Sequence, residues 1–204
     1  DGSCVVTNEP AMVPARKVTL VESSPNDSLQ PKTKVFDYIK PGDPLPKPHL
    51  VITTTDGSKI RVPNKLWENP FTTDGKLDVT WSPDSREFYF DYNQRGHQLY
   101  RVLAANAKTG AVRVVVEETS KTFIHYSGKS WRHWLHDTSE LIWMSERDGW
   151  CHLWLYDAKT GQPKHQITTG AWPVREVLHV DDAKREIWFL ASGLAHVGFG
   201  GLLL

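Results

Sequence analysis

Apolar and polar residues alternate with period two along most of this chain, and no window of helical length shows a clean 3.6-residue period. The alternation predicts strands near 17–21 and 34–38, separated by the turn chemistry of Ser23-Ser-Pro-Asn-Asp27. Pro41-Gly42-Asp43-Pro44-Leu45-Pro46 excludes helix and central strand, because proline removes a donor and locks φ. His49-Leu-Val-Ile-Thr53 and Lys59-Ile-Arg-Val62 flank Asp56-Gly57, a strong short-range hairpin signal. Further strands are predicted near 77–81, 86–91, 98–104 and 111–116, then near 130–135, 140–145, 151–157 and 164–168. A last pair falls near 176–180 and 186–191. Residues 1–17, with Pro10 and Pro14, carry no periodicity and are expected to be irregular.

The pattern also repeats. Trp81-Ser-Pro-Asp84 leads into Glu87-Phe-Tyr-Phe90, Gly96, Leu99-Tyr100-Arg101 and Lys108-Thr-Gly110. Trp134-Leu-His-Asp137 leads into Glu140-Leu-Ile-Trp143, Gly149, Leu153-Trp154-Leu155 and Lys159-Thr-Gly161. The tryptophans and the tip glycines are each 53 residues apart, and the Lys-Thr-Gly turns 51. A partial third copy begins at Asp181-Asp182 and continues Glu186-Ile-Trp-Phe189. Four short strands per period of this size describe a β-propeller blade. The expected fold is therefore all-β: a partial β-propeller of about three to four blades, each of four antiparallel strands. A blade buries both faces against its neighbours, which accounts for apolar residues on both phases of some strands.

The expected organisation is an irregular segment over 1–17, the propeller fragment over 18–192 and an atypical apolar tail over 193–204. The third repeat is expected to stop after its second strand, leaving the ring open and strand edges exposed near residues 18 and 190.

Composition narrows the function. Lysine plus arginine and aspartate plus glutamate number 24 each, without long runs of either sign, which argues against a nucleic-acid partner. No apolar run approaches the ~20 residues of a membrane-spanning helix. Cys4 and Cys151 do not fix a compartment. The nine tryptophans are expected to pack between sheets.

The residues that could carry chemistry give little. No Gly-x-Ser-x-Gly occurs, so no nucleophile elbow can be drawn, and Ser82, Ser85 and Ser145 read as turn or strand-edge residues. His133 and His136 stand three apart, with Asp137 and Glu140 nearby. On a helix that spacing would suit metal ligands. On a strand it puts the two on opposite faces, so they are expected to be exposed and no metal site is predicted. Glu146, Arg147 and Asp148 precede Gly149 at a hairpin tip, where an Arg–Asp pair is expected to brace the tip or bridge to the next blade. Asp84 and Asp137 are expected to form turns by accepting backbone N–H bonds. Trp150, Tyr156 and Trp172 are candidates for a pocket on one face, with core packing the favoured role. No catalytic residue and no cofactor is assigned, and substrate-binding residues are left open.

Three stretches resemble a known family, the propeller domain of dipeptidyl peptidase IV and its bacterial relatives within the prolyl oligopeptidase clan. They are Asp37-Tyr-Ile-Lys-Pro-Gly-Asp-Pro44, Trp81-Ser-Pro-Asp84, and Ser145 to Asp157 continuing into Gln166-Ile-Thr-Thr-Gly170-Ala-Trp172-Pro-Val174. The resemblance covers roughly residues 18–192. It implies part of an eight-bladed propeller that caps a C-terminal α/β-hydrolase domain, absent from this chain, in a serine exopeptidase that releases N-terminal dipeptides from peptide substrates. In that arrangement the hydrolase supplies a Ser-Asp-His triad and a propeller glutamate pair binds the substrate amino terminus. The family's glutamate motif is expected to lie upstream of this chain. Glu117-Glu118 is adjacent but follows Val114-Val-Val116 without the motif's Trp and Tyr, so the role is not transferred. The chain is thus expected to be a scaffold and substrate-gating part, inactive by itself, of a periplasmic or secreted enzyme compatible with a homo-oligomer. The alternatives are a non-catalytic binding propeller resembling the TolB type and a family member that has lost catalysis.

Overall fold

Four antiparallel sheets stand side by side, and the period-two pattern decides which neighbour each residue faces. The architecture is that of a computed structural model, which describes residues 2–72, 74–193 and 200–203. The first sheet begins with β1 (Cys4–Asn8). A hairpin of β2 (Arg16–Glu22) and β3 (Lys32–Tyr38) follows as a separate two-stranded sheet. β4 (Leu50–Thr54) then pairs with β1, and β5 (Lys59–Arg61) gives the order β1-β4-β5. The second sheet holds β6 (Val79–Trp81), β7 (Glu87–Asn93), β8 (Leu99–Asn106) and β9 (Val112–Thr119) in chain order. The third holds β10 (Arg132–Leu135), β11 (Glu140–Ser145), β12 (His152–Asp157) and β13 (Gln162–Gln166), also in chain order. The fourth holds β14 (Val174–Asp181), β15 (Glu186–Ala191) and β16 (Gly200–Leu203). Helix among the described residues amounts to one 3-10 turn, His136–Thr138.

Three cores separate these four sheets. Phe88, Phe90, Leu103 and Ala105 turn toward the first sheet and meet Leu50, Ile52 and Trp67. Their strand neighbours Tyr89, Val102 and Ala104 turn the other way and meet Leu141, Trp143 and Tyr156 of the third sheet. Ile142, Met144, Leu153 and Leu155 face onward to Val174 and Ile187. Alternate residues of one strand thus serve two different cores, the arrangement of propeller blades, and every residue of β11 is buried. Each large apolar side chain sealed this way contributes about 1.5–3 kcal/mol. The apolar, two-phase sequence of β7 and β11 is the direct cause of the stacking. The β2–β3 hairpin packs against none of the three cores and leaves Leu20, Val21, Val35 and Phe36 exposed.

Two expectations need correcting. Residues 1–17 are not wholly irregular: β1 pairs with β4, Val5 opposite Thr53 and Thr7 opposite Val51. The Asn8 side chain extends that edge by exchanging hydrogen bonds with Leu77, donating to its carbonyl at 3.0 Å and accepting from its N–H at 2.9 Å. The prolines behind β1 end the alternation so soon that five residues carry no readable period. The third repeat does not stop at two strands either, because β16 pairs with β15 from Glu186↔Leu203 to Phe189↔Gly200. A strand that opens with two glycines carries no polarity pattern to read. The rest of the expected apolar tail, residues 194–199 and 204, lies outside the described residues.

Candidate functional site

The strands end on two faces of different character. One face carries the β6–β7, β8–β9, β10–β11, β12–β13 and β14–β15 turns, built by repeated local chemistry. Asn106 Oδ1 accepts from the N–H groups of Lys108 and Thr109, each at 2.9 Å. Asp157 Oδ1 accepts from Lys159 and Thr160 at 2.8 and 2.9 Å, the same motif one period later. The following glycine is required in the later copy: Gly161 has φ +71°, and a Cβ there would sit 2.7 Å from the Val114 carbonyl oxygen of the preceding sheet.

The other face is irregular. It carries the β7–β8 and β11–β12 tips, the long 120–131 crossing from β9 to β10, and the 167–173 crossing from β13 to β14. Here the second and third sheets enclose a groove of about 320 Å³, whose lining includes Phe123, Ile124, Trp143, Met144, Glu118 and Arg147. Glu118, at 6 % exposure, is its buried charge. The carboxylate accepts from Trp143 Nε1 at 3.2 Å, from Ser145 Oγ at 2.8 Å and from Arg147 Nη2 at 2.7 Å. Arg147 lies over the rings of Trp154 and Tyr156, 5.0 and 5.4 Å from their centroids. Burial opposes its charge, but the Glu118 carboxylate outweighs burial and raises the guanidinium's pKa. At the mouth, Lys129 of the crossing pairs with Glu146 of the β11–β12 tip.

The crossing itself is anchored on the β7–β8 tip. Ile124 N–H donates to the His97 carbonyl at 2.7 Å. The His97 ring stacks on Tyr126 at 4.6 Å and meets Phe71 and Phe123 edge-on at 4.7 and 5.3 Å. Phe123 and, on the neighbouring tip, Trp150 remain exposed on this face.

The residues singled out in the sequence are dispersed. Arg147 braces its own tip, its Nε donating to Ser145 Oγ at 2.8 Å, and bridges to Glu118 of the preceding sheet rather than to the following one, while Asp148 accepts from the Trp150 N–H and from Gln166. Tyr156 is buried between sheets, Trp172 stacks on Phe189 at 6.0 Å, and Trp150 is exposed, so the three share no pocket. Glu117 and Glu118 point to opposite faces of β9, Glu117 accepting from Arg101 Nε at 2.7 Å. Ser82 donates to Asp84 at 2.7 Å, Ser85 closes the same turn at φ +57°, and Ser145 joins the Glu118 network. Asp84 accepts from the Arg86 N–H as a turn former, whereas Asp137 lies inside the 3-10 turn. His133 is half-buried rather than exposed, bonded at 2.7 Å to Asp182 of the fourth sheet, and His136 stacks beside Trp134 at 5.8 Å. Among the described residues no three His, Cys, Asp or Glu side chains gather as a metal would require. Cys4 and Cys151 are free thiols; burial, then the Glu146 charge, pushes Cys151 up to about 11.

One organising residue escaped the sequence reading. His152 is fully buried; its Nδ1 meets Thr168 Oγ1 at 2.9 Å and its Nε2 meets the Gly170 carbonyl at 3.0 Å. Trp172 packs edge-on against the ring at 5.1 Å. A Cβ on Gly170 would lie 2.3 Å from Trp172 Nε1. The signal was present in the paired spacing of His152-Leu153 and Thr168-x-Gly170-x-Trp172, which this contact explains.

Comparison with known proteins gives concordant results. The family model described as the dipeptidyl peptidase IV (DPP IV) N-terminal region matches residues 1–198. A probable dipeptidyl peptidase 4 of Aspergillus fumigatus is 35 % identical over 49 residues, covering 24 % of this chain and 6 % of its own length. The crystal structure of Porphyromonas gingivalis dipeptidyl peptidase 4 superposes with TM-score 0.72 at 17 % identity, covering 94 % of this chain and 26 % of that one. A putative dipeptidyl aminopeptidase IV from Bacteroides ovatus superposes with TM-score 0.61 at 21 % identity, covering 93 % and 29 %. The chain thus spans little more than a quarter of the solved structures it resembles.

Proposed function

The chain belongs to the dipeptidyl peptidase IV N-terminal region family, and from that premise we propose that it is the propeller portion of a serine exopeptidase that removes dipeptides from peptide N-termini. The match across residues 1–198 carries this reading. The propeller holds substrate access while a C-terminal α/β-hydrolase domain supplies the serine nucleophile and its His and Asp partners. The chain alone is a scaffold without catalysis. The irregular face is the gating surface: the 120–131 crossing and the Lys129–Glu146 pair supply side chains that a peptide would meet on its way to the hydrolase. The exposed apolar side chains of the β2–β3 hairpin make it the surface for a homo-oligomer. A periplasmic or secreted location agrees with a peptide substrate; among the described residues no helix is long and apolar enough to cross a membrane.

The test is hydrolysis of Ala-Pro-p-nitroanilide by the intact protein and by residues 1–204 alone, with the N-acetylated substrate as control. Release of nitroaniline by the intact protein from the free amine only, and none by residues 1–204, is expected. Equal cleavage of the acetylated substrate would remove the exopeptidase assignment. A folded but inert intact protein would leave a binding propeller or a member that has lost catalysis as the better account.

A further inference from the structure

Residues 125–129, His-Tyr-Ser-Gly-Lys, form a polar turn between the apolar pair Phe123-Ile124 and the start of β10. The turn closes on itself: the His125 carbonyl accepts from the N–H groups of Gly128 and Lys129, at 3.3 and 2.9 Å. A Cβ on Gly128 would lie 2.7 Å from the His125 ring, so the chain folds back tightly over that side chain. The ties of the turn run to the second sheet. Ile124 N–H donates to the His97 carbonyl, Tyr126 stacks on the His97 ring, and Ser130 shares a hydrogen bond with the Tyr100 side chain. A turn closed within itself and tied along one side can move as a unit, and its free edge is the one toward the third sheet.

Across the mouth of the groove stands the β11–β12 tip, and it is held from within. Gly149 N–H donates to the Glu146 carbonyl at 3.0 Å. Arg147 donates to Ser145 Oγ through its backbone N–H at 3.1 Å and its Nε at 2.8 Å, and its Nη2 reaches the nearly buried Glu118. Among the described residues one polar contact joins the turn to this tip, Lys129 to Glu146, with the two side chains 37 and 38 % exposed. The other charges of the tip are already engaged, Arg147 by Glu118 and Asp148 by Gln166. An exposed ion pair gains little and is screened by salt, whereas a hydrogen-bonded carboxylate inside the protein is screened far less. The tip is therefore a fixed jamb, and the turn opposite it is fastened by a single bond in water. Between them the groove leads in to Trp143 and Ser145.

We propose that residues 125–129 form a flap over this groove, latched to the β11–β12 tip by the Lys129–Glu146 ion pair and released by ions or by a charged group that takes either partner. A peptide carries both kinds of group, a carboxylate for Lys129 and an ammonium for Glu146. The bearing of the flap on peptide passage rests on the gating role proposed above for this face; the latch itself does not.

Hydroxyl-radical footprinting of the intact protein, read by mass spectrometry, tests this, because Trp143 lines the groove yet is only 2 % exposed with the flap closed. Oxidation is normalised to the exposed Trp150. Raising sodium chloride from about 20 to about 500 mM shortens the Debye length from about 20 to about 4 Å. That step should raise Trp143 oxidation about two- to fivefold. Lys129→Ala should give the higher value at both salt concentrations. The exchanged pair Lys129→Glu/Glu146→Lys should restore both the protection at low salt and its salt dependence. Lys121→Ala, which removes an exposed charge of the same crossing away from the latch, should behave as the wild type. Trp67, 1 % exposed in the core between the first and second sheets, should stay unreactive throughout. Trp143 oxidation indifferent to salt and to Lys129→Ala would overturn the proposal, as would an exchanged pair that fails to restore protection. A parallel rise at Trp67 would mean that the sheets themselves loosen and would equally overturn it. The readout needs no turnover: an intact protein inert toward Ala-Pro-p-nitroanilide would remove the peptidase reading, and the footprint would still decide the latch.

Discussion

The two faces of the sheets differ in how their backbone is held. On one, the same short turn is made again and again by an Asn or Asp side chain that caps the N–H groups following it, as at Asn106 and Asp157. On the other, segments such as 120–131 and 146–151 follow no common plan and are held by side chains distant in sequence, above all Glu118 and Arg147. Local turns repeat because only a few residues need to agree. Long-range networks diverge because each depends on what a neighbouring sheet offers. The irregular face is therefore the one free to vary, and the regular face keeps the sheets in register.

Four experiments would break or sharpen that contrast. The largest effect is expected from Glu118→Ala, which leaves the buried Trp143 Nε1 and Ser145 Oγ without their acceptor and Arg147 without its counter-charge. A loss of about 2–6 kcal/mol follows from two buried donors left unsatisfied at about 1–3 kcal/mol apiece, read as a lower urea midpoint. An unchanged midpoint would mean that the irregular face is not braced by this network.

Acid should act next, and on the regular face. Burial alone would raise Glu140, but Lys164, Thr138 and Arg185 outweigh it and hold the carboxyl at about 2, against 4.5 for the free group. A depressed folded-state pKa gives stability that is present in full above about 4.5 and drains away as pH falls toward 2. Its size is on the order of 3 kcal/mol. Glu140→Gln should flatten this part of the stability–pH curve, and a variant with the wild-type acid slope would contradict the assignment.

Gly161→Ala should cost about 1–3 kcal/mol, since φ +71° and the Val114 carbonyl 2.7 Å away both oppose a side chain. The same change at Gly149, with φ +94° but open space around it, should cost less, and the difference in melting temperature isolates the contact between sheets. Asp157→Ala, on an exposed turn, should have the smallest effect of the four. If it matched Glu118→Ala, the distinction between locally and remotely held faces would fail.

The strands of the second and third sheets were legible because the alternation recurs between them, with Trp81 and Trp134 spaced 53 residues apart and the two Lys-Thr-Gly turns 51. The Asp56-Gly57 hairpin was legible for a local reason: Asp56 accepts from Thr54 and Ser58, and Gly57 supplies φ +85°. β1 was hidden because its partner lies beyond an insertion and its own five residues are too few to show a period. The sites were less legible still. Nothing adjacent to Glu118 indicates that its partner is Arg147, 29 residues on. Tyr89 reads as one more aromatic in an aromatic strand, and its stacking on Trp134 of the next sheet appears only in three dimensions.

The β2–β3 hairpin enters and leaves the molecule at almost one point. Glu9 N–H donates to the His49 carbonyl at 2.8 Å, and Ala11 bridges Lys47. Closing so short a gap by other means costs little entropy. The insertion is therefore a detachable cassette: evolution or an engineer could shorten, replace or decorate residues 12–46 while β1 and β4 stay paired. What that hairpin presents to solvent can change without renegotiating the fold that carries it.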